Sequence, residues 1–168
     1  MFNFGFGLSN QPSLSQYIYN LIKNEWEPDW SLSEEAAYRD DLIEFLDKKL
    51  NKAHLITKED GRHLADIGID EKIGIELKLN LSGKKEVDRL IGQVQGYLDD
   101  YNAILIVLLG KTSPETVRNV NFRLKKLYVQ PDPLFGNLFR PAQAKQIYLI
   151  VKSPISTSTP KSKGLTNK

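Results

Sequence analysis

No cysteine occurs anywhere in the 168 residues. Disulfides, thiolate zinc sites and a cysteine nucleophile are therefore excluded, and the composition suits a reducing interior. Histidine is scarce as well: His54 and His63 are the only two. His54 falls at the expected start of a strand and His63 beside one, and neither is assigned a ligand role. Long apolar runs are missing. The longest, Ala103 to Leu109, is far too short to cross a bilayer. The opening MFNFGFGLSNQPS has no basic start followed by a long apolar stretch, so no secretory signal is expected. A cytoplasmic setting with no membrane partner follows as an expectation. Nor is there an excess of one charge, since 23 basic and 21 acidic side chains leave a net +2. Nucleic-acid binding depends on where charge sits, so this balance neither implies nor excludes it.

What is present is enough chain to bury a core without staples, as one domain with short extensions. Residues 1–32 read as an N-terminal extension, irregular at first and then a short helix from Leu14 to Trp26, added to the core and ended by Pro28. Residues 33–151 read as the domain. Ser31 and Glu34 have capping-box spacing, with Ser33 a rival cap. The helix they open is expected to run to about Asn51, with Tyr38, Leu42, Phe45, Leu46 and Leu50 on one face. Strands are expected at His54–Lys58, His63–Ile69 and Ile73–Leu81, with turns at Asp60-Gly61 and Asp70-Glu71-Lys72. A second long helix spans Lys84–Tyr101. Ala103–Leu109 reads as a strand buried on both faces. Ser113-Pro114-Glu115 opens a third helix, ending near Tyr128. The proline-bearing stretch from Gln130 to Gln143 is a loop, and Gln146–Val151 a last strand. Residues 152–168, rich in Ser, Thr, Pro and Lys, are expected to be a disordered tail. The order predicts an α/β fold: a mixed central sheet, an antiparallel meander extended by parallel strands, flanked by helices.

The chemistry concentrates between Arg62 and Leu79. Side chains alternate across a strand. Ile73, Ile75, Leu77 and Leu79 then share one face, and Glu76 and Lys78 the other. Before the turn, Ala65, Ile67 and Ile69 oppose Asp66 and Asp70. Whether the carboxylates meet depends on register, because a one-residue slip flips every side chain. A two-residue turn sets Asp66 against Leu77, on the wrong face. A three- or five-residue connection, or a bulge, aligns Asp66 with Glu76 and Lys78. Two converging carboxylates repel unless a cation joins them, and hard oxygen ligands suit Mg²⁺ or Mn²⁺. Such an ion activates water and stabilises a phosphate under attack, with Lys78 to orient the water or neutralise charge. The implied reaction is phosphodiester hydrolysis.

On Asp66, the tripeptide Glu76-Leu77-Lys78 and this element order, the chain resembles the PD-(D/E)XK nuclease superfamily over roughly residues 33–110. The resemblance implies a restriction-endonuclease-like αβββαβ core and a Mg²⁺-dependent deoxyribonuclease of endonuclease or junction-resolvase type. Asp66 and Glu76 then bind metal, and Lys78 positions the nucleophile. It further implies a metal-site glutamate on the first helix, best matched by Glu35, with Glu34 the close rival. Gln93-Val94-Gln95-Gly96-Tyr97 matches a Gln-x-x-x-Tyr motif of the RecB-like branch, whose two ends share a helical face and contact DNA or brace the site. Ala65 stands where the family name has proline.

Lys84 and Lys85 are the best cations for phosphate contacts, with Arg62 a further candidate. The group Arg118, Arg123, Lys125 and Lys126 reads first as a solvated helix face. Cutting both strands of a DNA duplex or junction needs two sites, so a homodimer is expected. The alternative reading is a nuclease-fold module that binds nucleic acid or serves assembly without cleaving.

Overall fold

In a computed structural model, residues 12–58, 64–127 and 145–154 are described. Among them are four helices, α1 (Leu14–Asn24), α2 (Glu35–Lys49), α3 (Gly83–Asp100) and α4 (Pro114–Leu127). The five strands are β1 (Ile56–Lys58), β2 (Ile67–Ile69), β3 (Ile73–Leu79), β4 (Ala103–Leu109) and β5 (Gln146–Lys152). Strand order in the sheet follows the chain, β1 to β5. β1, β2 and β3 pair antiparallel, and β3, β4 and β5 parallel, so the sheet is mixed as expected.

β4 explains why the sheet has two covered faces. Every residue from Ala103 to Leu109 is buried. Ala103, Leu105, Val107 and Leu109 join a core with Ile67, Ile75 and Leu77 and with Tyr38, Leu42 and Leu46 of α2. Ile104, Ile106 and Leu108 join a second core with Val87, Leu90, Val94, Val120 and Leu124 of α3 and α4. Each of these large side chains contributes about 1.5–3 kcal/mol on leaving water. α1 supplies Ile18, Leu21 and Ile22 to the first core, and Trp26 closes it while donating from its indole Nε1 to Asp41 at 2.9 Å. The helix read from the sequence as an addition to the core therefore packs within it.

Local chemistry moved one boundary. Ser31 does not cap α2. Its backbone N and its Oγ both donate to Asp29 Oδ1, at 2.9 and 2.7 Å. The nearer carboxylate captures the serine in a turn of its own. The helix starts at Glu35, after an extended Glu34 that makes no side-chain cap.

The β2–β3 connection is three residues, Asp70-Glu71-Lys72, between the paired Ile69 and Ile73. Asp70 and Glu71 adopt positive φ, 52° and 55°. The turn is braced by Asp70, whose Oδ1 accepts from Leu55 N at 2.9 Å and whose Oδ2 lies 2.6 Å from His54 Nδ1. Register runs Ile69–Ile73, Gly68–Gly74, Ile67–Ile75, and one step further sets Asp66 opposite Glu76. The odd-length connection is the one the convergence of carboxylates requires. Ala65 departs from the alternation. It packs in the α3 core, not with Ile67 and Ile69, because β2 begins only at Ile67. The turn at Asp60-Gly61, Arg62 and His63, the loop 130–143 and residues 155–168 of the expected tail lie outside the described residues.

Ala65 and Tyr101 fill the space above Gly74, where a Cβ would stand 3.0 Å from Ala65 Cβ and 2.9 Å from Tyr101 Cδ2. Gly74→Ala is expected to destabilise by about 1–3 kcal/mol through overpacking. Gly92, in α3, has open space around it, and Gly92→Ala is expected to stabilise by about 0.5–1 kcal/mol. Urea unfolding of both variants checks the opposite signs.

Candidate active site

Parallel and antiparallel partners divide the backbone groups of β3 between them. Asn80, just past the strand, donates to Leu109 O at 2.8 Å. Even-numbered N–H groups thus face β4, and odd-numbered ones face the β2 side. β2 covers β3 only as far as Ile75. Beyond that point Leu77 N–H and Leu79 N–H have no strand to meet. Side-chain carboxylates meet them instead. Asp66 Oδ2 accepts from Leu77 N at 2.7 Å. Glu35 Oε2, from the first turn of α2, accepts from Leu79 N at 2.9 Å. An acidic residue in that first turn also suits the helix dipole.

Glu76 and Lys78 project from the same stretch of β3, on the face opposite Ile75 and Leu77. Glu76 is 1 % exposed. Its Oε2 accepts from Tyr97 OH at 2.9 Å, and its Oε1 is 2.7 Å from Lys78 Nζ in an ion pair. Lys78 Nζ also lies 3.3 Å from Glu35 Oε1. On α3, Gln93 Nε2 donates to Tyr97 OH at 3.4 Å, and Gln93 Oε1 is buried without a hydrogen-bond partner among the described residues. A continuous path therefore runs Gln93, Tyr97, Glu76, Lys78, Glu35.

The electrostatics follow from burial. Desolvation pushes the Asp66 carboxyl up, against the Leu77 N–H and the Lys78 charge that favour its ionised form. Desolvation likewise raises Glu76, with Lys78 opposing it and the Asp66 charge adding to it. Burial pulls Lys78 down, but Glu76 outweighs it, with Glu35 and Asp66 assisting, and the ammonium ends above its ordinary value. Burial and the Glu76 charge hold the Tyr97 hydroxyl far above its usual value, so it remains a donor.

Most sequence-derived candidates meet here: Asp66, Glu76, Lys78, Glu35, Gln93 and Tyr97. Between the two helix glutamates, Glu35 enters the cluster while Glu34 is exposed ahead of the helix. Lys84 and Lys85 are exposed in the first turn of α3 and take no part in the network. Arg62 lies outside the described residues. Arg39 was missed. Its side chain is only 16 % exposed, one turn beyond Glu35, and its charge acts on Asp66. The i,i+4 spacing from Glu35 was the available signal.

A divalent cation fits this donor set in chemistry. Asp66 is an enclosed carboxylate that gives Oδ2 to the backbone, and Glu76 Oε1 is buried with only an ion-pair contact. These are hard oxygens of the kind Mg²⁺ and Mn²⁺ take, with waters completing the shell. The set is not a closed cage. Among the described residues no three His, Asp or Glu side chains form a metal-holding group.

Asp66 serves the backbone as well as the site, so its substitutions should separate the two. Asp66→Ala is expected to cost about 1–3 kcal/mol by stranding Leu77 N–H, whereas Asp66→Asn keeps an acceptor and loses the charge. The native carboxyl titrates above its ordinary 3.8. Its contribution is therefore full below that value and is lost as pH rises through the raised one. In metal-free protein the fall in stability as pH rises above 3.8 should be shallower in Asp66→Asn than in wild type. Urea unfolding across that range measures it.

No protein-family model, no curated protein and no solved structure matches the chain, so what this site does has to be read from its own residues.

Proposed function

We propose that the protein is a metal-dependent nuclease that hydrolyses phosphodiester bonds in DNA, on a restriction-endonuclease-like αβββαβ core of the PD-(D/E)XK type. The observation that carries this reading is the convergence of Asp66, Glu76 and Lys78 on one patch, where β2 leaves β3 and Glu35 closes over the gap. The run α2, β1, β2, β3, α3, β4 supports the core assignment.

Asp66 and Glu76 would hold Mg²⁺ or Mn²⁺, with Glu35 assisting. Bound there, the ion supplies charge stabilisation to the phosphate and lowers the pKa of a water. The chain's own residues do the rest. Tyr97 OH fixes Glu76 Oε2 and so directs Oε1 toward the patch, and Gln93 steadies Tyr97. Lys78 is held cationic by its acidic neighbours. It is therefore a donor that orients water or neutralises phosphate charge, not a base that takes a proton. Lys84 and Lys85, exposed at the start of α3, suit phosphate contacts on either side of the cut. Cleavage of both strands requires two such sites, which favours a homodimer.

One observation favours a second reading, a nuclease-fold binding module without cleavage. Lys78 already neutralises Glu76, and Asp66 and Glu35 each give one oxygen to the backbone, an arrangement self-sufficient without an ion. Metal binding separates the two. Calorimetry with Mn²⁺ is expected to show one binding event in wild type that Asp66→Asn and Glu76→Gln lose. Nicking of supercoiled and four-way-junction DNA in Mg²⁺ is expected to fall about 10²–10³-fold in Lys78→Ala, with metal binding retained. Equal nicking by wild type and Glu76→Gln would assign the activity to a contaminant and sink the nuclease reading.

A further inference from the structure

α3 has the site on one flank and α4 on the other. Val87, Leu90, Val94 and Tyr97 face the core. Consecutive helix positions turn by about 100°, so Gln93 and Asp88 stand to either side of that apolar line. Gln93 reaches Tyr97 and through it Glu76. Asp88 accepts from Arg123 Nη1 of α4. The outer surface between the two flanks carries Lys85, Arg89, Gly92 and Gly96, all exposed. Arg89 stands one turn before Gln93 and one turn after Lys85. Among the described residues neither cation makes a hydrogen bond or an ion pair. Their acidic neighbours are occupied, since Glu86 Oε2 accepts from Ser82 N at 2.9 Å and Asp88 holds Arg123.

An acidic patch cannot hold a polyanion by itself. Asp66, Glu76 and Glu35 repel phosphate, and Lys78 is paired with Glu76 and lies beside Glu35. The grip on a nucleic acid has to come from cations next to the patch. Lys85 and Arg89 are spaced by about 6 Å along the helix axis, and the planar fork of an arginine matches two oxygens of a phosphate. The glycines fit the same use. Glycine weakens a helix interior, and no neighbour requires it here, because a Cβ at Gly92 or Gly96 meets nothing within 4 Å. They leave a bare stretch of helix beside Gln93, where a bulky ligand can lie against the backbone. We propose, resting on the nuclease reading above, that a DNA strand reaches the site along this outer surface of α3, with its phosphates held by Arg89 and Lys85 and its backbone passing over Gly92 and Gly96.

Three variants test this by fluorescence anisotropy of a short labelled DNA, with Ca²⁺ in place of Mg²⁺ so that the DNA stays intact. Arg89→Ala is expected to bind about tenfold more weakly, with a salt slope reduced by about 1. Lys125→Ala removes an exposed cation from α4, away from the site, and is expected to stay within about twofold of wild type. Gly96→Leu changes no charge and puts a branched side chain on the path. Its affinity is expected to fall about tenfold while its urea midpoint does not fall. An affinity that drops no further in Arg89→Ala than in Lys125→Ala overturns the proposal, as does wild-type affinity in Gly96→Leu or a wild-type protein that binds no DNA. DNA binding that depends on Arg89 and Gly96 in a protein that never nicks leaves the path standing and removes the nuclease reading. Nicking indifferent to both residues does the reverse.

Discussion

The unpaired edge of β3 is the constraint on which the rest depends. A strand that runs four residues beyond its paired neighbour leaves two N–H groups without a strand to meet on that edge, and each such group left unmet costs about 1–3 kcal/mol. Here they are Leu77 N and Leu79 N, and they are met by Asp66 and Glu35. The consequence is a concentration of acid. Carboxylates recruited to finish a hydrogen-bond ladder arrive within reach of Glu76 and Lys78, which the same strand already carries. The geometry that completes the sheet is the geometry that assembles the candidate site.

Such a cluster is tolerated because each charge has a partner. A carboxylate as enclosed as Glu76 would be strongly disfavoured alone. Lys78 on one oxygen and Tyr97 on the other offset that cost. A buried pair of this kind adds little net stability over an apolar one, although removing one member is severe. Its presence in a sheet whose covered faces are mostly Ile, Leu and Val is what marks the patch as the candidate site. Burial raises the carboxyl groups of Asp66 and Glu76 alike, and the Lys78 charge opposes both shifts.

The parts of this legible in the sequence were those set by short-range rules. The apolar run Ala103–Leu109 announced a strand covered on both faces, and its bounds match β4. The register was legible only as a condition, an odd-length connection or a bulge, and the three residues between Ile69 and Ile73 meet it. Spacing of four on α3 put Gln93 and Tyr97 on one side, and they meet at a hydroxyl. What stayed hidden depended on the third dimension. Ser31 had two acceptors to choose from, and the nearer Asp29 captured it. Ala65 lay beyond the end of a strand only three residues long, where alternation no longer holds. α1 read as an addition to the core because its apolar face gave no hint of the surface it packs on.

Lys78 now occupies a position of double use. Its ammonium bridges Glu76 Oε1 and Glu35 Oε1, which is electrostatically what a metal ion would do for the same pair, at lower charge. On the nuclease reading proposed above, Asp66 and Glu76 would hold a divalent ion that supplies charge to the patch, and Lys78, kept cationic by its acidic neighbours, would remain beside it as a donor to an anion. Either use of Lys78 depends on Glu76 staying clamped by Tyr97, because a glutamate free to swing with the lysine would take the charge away from the patch.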